Sequence, residues 1–110
     1  MLSRSMETAA IRFVKSIKET EVYKKYNYQL SKIKEEPDLF AQVNEFLKRN
    51  FELQNASQVD ELFDKMDVFE KEYEKFRENP LVDEFLTAEL AFCRMMQEID
   101  VFITNELDFE

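Results

Sequence analysis

Apolar residues recur along this chain in steps of three and four, the period of helices that turn one face inward. Met6, Ala9, Ala10, Phe13, Val14 and Ile17 predict a first helix ending near Lys18. Thr20, with Glu21 behind it, reads as a fresh N-cap, and Tyr23, Tyr26, Leu30 and Ile33 form a second stripe. The reading is two helices broken around Lys18–Thr20, with one continuous kinked helix as the alternative. Glu36-Pro37 closes the second, because a residue before proline avoids the helical region. Pro37-Asp38 opens a third helix, whose face is Leu39, Phe40, Val43, Phe46, Leu47 and Phe51. Asn55-Ala56-Ser57 is the clearest linker, and Ser57 with Asp60 resembles a capping box. A fourth helix follows, presenting Val59, Leu62, Phe63, Met66, Phe69, Tyr73 and Phe76.

The last stretch, Pro80 to Phe109, organises the rest. Asn79 can cap it, Pro80 suits the first helical position, and Asp83 and Glu84 meet the positive end of the helix dipole. One seam runs Val82, Phe85, Glu89, Phe92, Met96, Ile99 and Ile103; a second runs Leu81, Ala88, Met95, Phe102 and Phe109. With Leu86 and Cys93 they cover an apolar arc of roughly 200°, about twice what a surface helix needs. At ~1.5 Å per residue the helix runs ~43 Å, against a diameter of roughly 34 Å for a compact domain of this size. A helix this long and apolar predicts contact with a second copy of the chain.

Composition sharpens the picture. No Gly, two Pro and 110 residues predict a single all-α domain over 1–110, with four to five amphipathic helices in an antiparallel bundle and a long C-terminal helix. One cysteine excludes an internal disulfide and suggests a reducing compartment. No signal-peptide core and no apolar run of membrane-spanning length is visible, so a cytoplasmic protein is expected. The net charge of −9 is unevenly placed. Residues 1–50 carry ten basic and seven acidic side chains, residues 51–77 four and eight, and residues 78–110 one and nine. Such a surface repels a polyanion, which speaks against direct nucleic-acid binding. The basic first half is expected to attract the acidic last third, with Arg12, Lys15, Lys18 and Lys24 as donors.

Candidate chemistry is thin. With no His, the commonest general base and metal ligand is missing. Paired carboxylates such as Glu70 with Glu74 and Asp60 with Asp64 read as a solvated acidic face. Glu89 stands in the main seam where an apolar residue is due, so it is expected to be partly buried and paired to another helix or subunit. Cys93 reads as a small hydrophobe rather than a nucleophile. Lys18, Lys25 and Lys32 align on one face if the first two helices are continuous. They read as solvated, with a docking strip for a partner as the alternative.

Asn79-Pro80-Leu81-Val82, then Phe85-Leu86, Ala88-Glu89, Cys93-Arg94-Met95-Met96-Gln97, Ile99 and Ile103, resembles the C-terminal helix of the YlbF/YmcA (Com_YlbF-like) family of bacterial proteins. Thr20-Glu21 with Tyr23 and Tyr26, and Pro37 followed by Leu39, Val43 and Phe46, is similar to that family's N-terminal half. The resemblance covers essentially the whole chain. It implies a small all-α protein that associates with itself. For some members it implies regulation of competence, biofilm formation and sporulation through a complex that adjusts RNA cleavage by ribonuclease Y. Some relatives carry a cysteine-bearing tail associated with an iron–sulfur cluster. This chain has one cysteine where a cluster usually takes four, and it resembles the tail-less branch.

The expectation is therefore a non-enzymatic regulatory protein without a cofactor or metal, acting through protein partners. It is expected to form homo-oligomers through Leu81, Phe85, Ala88, Glu89, Phe92, Met95, Met96, Ile99, Phe102 and Ile103. The other reading is a structural or chaperone-like helical module that holds a client on an apolar face.

Overall fold

Local capping sets most of the helix boundaries. The structure, a computed structural model, describes residues 1–55 and 59–108, apart from the side chains at 54 and 59–63. Among them are α1 (Arg4–Lys18), α2 (Glu21–Lys34), α3 (Pro37–Gln54), α4 (Val59–Glu72), α5 (Glu74–Arg77) and α6 (Pro80–Glu106), with no strand. The fold class is all-α, as the periodicity predicts. Ser3 starts α1 by accepting from the Met6 amide at 3.2 Å. Thr20 serves two helices at once. Its hydroxyl donates to the Ile17 carbonyl at 2.7 Å, closing α1, and accepts from the Tyr23 amide at 3.1 Å, opening α2. The first two helices are thus separate, and the chain breaks where the Thr20 cap predicts. Asn79 accepts from the Leu81 amide at 2.9 Å ahead of Pro80, and Asn55 ends α3 by donating to the Phe51 carbonyl at 2.8 Å. The Ser57–Asp60 capping box, the Asp60–Asp64 pair, Phe109, and the inward face expected of Val59, Leu62 and Phe63 lie outside the described residues.

Two boundaries differ from expectation. The fourth helix was expected to run through Phe76, but it is interrupted at Tyr73 (φ −103°, ψ 10°) and resumes as the four-residue α5. The Tyr73 hydroxyl is held by Arg49 of α3, a tertiary contact that no periodicity carries. The last helix stops at Glu106 rather than reaching Phe109. Asp108 turns into the left-handed region at φ 53°, a conformation Asp tolerates better than most residues.

The chain divides into two compact units: Leu30–Leu86, and Met1–Gln29 with Thr87–Glu110. In the first, Ile33, Val43, Phe46, Phe69, Val82 and Phe85 are buried. Here α3 and α4 pack antiparallel. The ring of Phe46 stacks on Phe69 (centroids 5.2 Å apart) and meets Tyr73 edge-on at 5.1 Å. One turn along α3, Arg49 grips Glu72 with two bonds of 2.8 and 3.0 Å and donates to Tyr73 at 2.8 Å. This fork holds the Glu72 carboxyl below its ordinary range, chiefly through the hydrogen bonds.

In the second unit α2 meets α6 through rings. Tyr26 stacks on Phe92 with centroids 4.8 Å apart, and Tyr23 meets the same ring edge-on at 5.8 Å. Ala88 is buried, whereas α1 buries none of its residues. Lys24, expected to reach the acidic last third, pairs with Glu21 of its own helix at 3.8 Å, both side chains exposed.

Candidate functional site

Helix α6 changes character along its length. Near its start the seam is core: Val82 is fully buried, Phe85 3% exposed and Ala88 buried, with Leu81 half-buried. Phe92, Met95 and Ile99 are half-buried. Beyond them Met96 is 37% exposed, Ile103 41% and Phe102 65%, with Val101 and Leu107 also open. Of the ten residues expected at a self-interface, Phe85 and Ala88 are thus enclosed by the chain itself, while Met96, Phe102 and Ile103 meet solvent.

Phe13 of α1 lines a groove of about 410 Å³ with Met95, Glu98, Ile99, Phe102 and Ile103. Five of these six residues are apolar. The pairing runs backwards along α6, since Phe13 lies by residues 95–103 while Tyr23 and Tyr26 lie by Phe92. The first stretch of the chain and α6 are therefore antiparallel. On α1, Met6, Ile11, Phe13 and Val14 are all exposed. The pattern of α1 showed in the sequence; that Met6, Phe13 and Val14 of its apolar face would stay exposed, with only Ala10 and Ile17 half-buried, did not, because periodicity says which face seeks burial and not what buries it.

Glu89 and Cys93 form a small polar feature beside the Tyr26–Phe92 stack. Glu89 is half-buried, as its place in the seam predicts. Its partner differs: the Cys93 thiol, one turn along the same helix, donates to its carboxylate at 3.0 Å, where a neighbouring helix was expected. Desolvation, this hydrogen bond and the Glu89 charge push the Cys93 thiol up to about 11. Desolvation and the same carboxylate raise Tyr26 as well. At neutral pH the sulfur is a thiol, so it is a poor nucleophile.

Lys18 closes α1 while Lys25 and Lys32 belong to α2, so the continuous helix that would align them is absent. Lys18 and Lys25 are exposed, and Lys32 is half-buried and engaged. Among the described residues no group of three or more Cys, Asp or Glu is arranged to hold a metal ion, and no helix is long and apolar enough to cross a membrane.

The model of one protein family, described as control of competence regulator ComK, YlbF/YmcA, matches residues 6–108. No curated protein and no solved structure matches the chain.

Proposed function

This chain belongs to the YlbF/YmcA family of control of competence regulators, and from that membership and its open apolar face we propose a non-enzymatic regulator that works by docking onto proteins, first onto a second copy of itself. The process it adjusts is RNA processing or development, the chemistry being done by its partners in the cytoplasm. One observation carries the reading: α1 has no buried residue, and the end of α6 beside it leaves Phe102 65% exposed. A short helix gains most of its stability from tertiary packing, so an uncovered amphipathic helix points to a covering partner. Contiguous exposed apolar surface of this kind marks interaction sites, and Phe and Met are enriched in them. The lack of His and the protonated Cys93 support a role without chemistry of its own.

Light scattering coupled to gel filtration at micromolar concentration tests the reading. The expected mass is at least twice the 13.3 kDa of one chain. Met95→Glu and Phe102→Glu are each expected to bring it down to one chain while far-UV circular dichroism stays helical. A wild-type mass of one chain sinks self-association. If that monomer also binds an apolar dye in its native state, the face holds a client instead.

A further inference from the structure

Resting on the self-association just proposed, we infer that the groove between α1 and α6 seats a second copy with α1 of each protomer lying against α6 of the other. Two face-to-face arrangements of an α1/α6 layer obey two-fold symmetry. A two-fold axis along the helices places α1 over the partner's α6; an axis across them places α6 over α6 and α1 over α1. The apolar residues serve both arrangements equally, so charge decides. Helix α1 carries Arg4, Arg12, Lys15 and Lys18 against Glu7, a net +3. The part of α6 in the same unit, from Thr87 onward, carries Glu89, Glu98, Asp100 and Glu106 against Arg94, a net −3. Like helices stacked on each other bring +3 to +3 and −3 to −3. Crossed pairing sets the net-positive helix against the net-negative one in both contacts. Juxtaposed like charges are a strong discriminator against a wrong arrangement, and Glu98 stands in the groove itself.

The arrangement gives each dimer two copies of one contact, α1 against the partner's α6, and that reciprocity can be tested. Phe13→Lys damages the α1 side and Phe102→Glu the α6 side. Each variant alone is expected to run as a monomer by light scattering, with wild-type helicity. Mixed in equal amounts they are expected to regain the dimer mass, because one contact is then wild type and the other pairs Lys with Glu. The double variant F13K/F102E is expected to dimerise as well. A wild-type dimer whose F102E variant is monomeric, but whose mixture and double variant stay monomeric, overturns the crossed pairing and leaves self-association standing. A monomeric wild type overturns both.

Should F13K lose helicity, cross-linking decides in the Cys93→Ser chain. Ser16→Cys protein, exposed one turn beyond Phe13, is mixed with differently tagged Glu98→Cys protein under a mild oxidant. Disulfide-linked pairs of unlike chains support the inference; Glu98→Cys pairs of like chains overturn it.

Discussion

Glu89 accepts from the Cys93 thiol one turn along α6, and Tyr26 lies close enough to feel the same carboxylate. Both the thiol and the phenol are therefore harder to ionise in the folded chain. The sign of the pH effect follows. A group whose folded pKa is raised stabilises the fold below its unfolded value, ~8.5 for a thiol and ~10 for tyrosine, and this is lost as pH rises through the folded value. The fold is thus expected to weaken progressively between ~8.5, where the thiol of the unfolded chain ionises, and about 11, where Cys93 ionises in the folded chain. The residue-scale measurement is the pH profile of Cys93 alkylation by iodoacetamide. Its midpoint should lie near 11 in the wild-type chain and move down towards the ordinary thiol range in Glu89→Gln, which removes the charge. An unshifted midpoint in Glu89→Gln refutes the role given to the carboxylate. A carboxylate in an apolar seam was legible in the sequence; its partner was not, because a cysteine four residues on looks like one more seam residue.

The α3–α4 pair shows what an element-scale reading holds. Phe46 is buried and touches Phe69, Tyr73 and Phe76, so it ties α3 to α4 and α5 at once. Its truncation to Ala is expected to cost ~3–5 kcal/mol, the usual range for a core phenylalanine, read as a lower urea midpoint at unchanged slope. A loss below ~1 kcal/mol would mean the ring cluster contributes little. The stripes that place Phe46 and Phe69 inward, and the breaks at Thr20, Pro37 and Asn79, were readable because caps and prolines act within a few residues. The break at Tyr73 was not, since it accompanies a bond from Arg49, 24 residues away in sequence. The Arg49–Glu72 fork was equally invisible: Glu72 is one of eight acids between residues 51 and 77, and nothing local marks it out. For the candidate site the same divide holds. The α6 seams were legible as a face, but the division into a closed part around Phe85 and an open part around Phe102 depends on where the other helices stop.

At the scale of the whole molecule, two electrostatic effects oppose each other in self-association, and range separates them. Each chain carries a net −9, so two copies repel as they approach, over a distance set by the Debye length. That length is ~30 Å at about 0.01 M salt and ~8 Å at about 0.15 M. The attraction between basic α1 and acidic α6 acts across a contact of a few ångströms and is screened much less over the same range. Raising the salt from about 0.01 M to about 0.15 M should therefore remove most of the repulsion while sparing the local pairing and leaving the apolar term intact. The dimer dissociation constant, measured by sedimentation equilibrium, is expected to fall. A dissociation constant that rises over this range would mean that salt-screened pairing between the basic and acidic segments outweighs the net repulsion. The association would then have to rest on exposed ion pairs, which contribute only ~0–1 kcal/mol each, rather than on Phe13, Met95 and Phe102. Between about 0.15 M and 1 M, where the Debye length shrinks to ~3 Å, the change should be smaller, because little repulsion is left to remove.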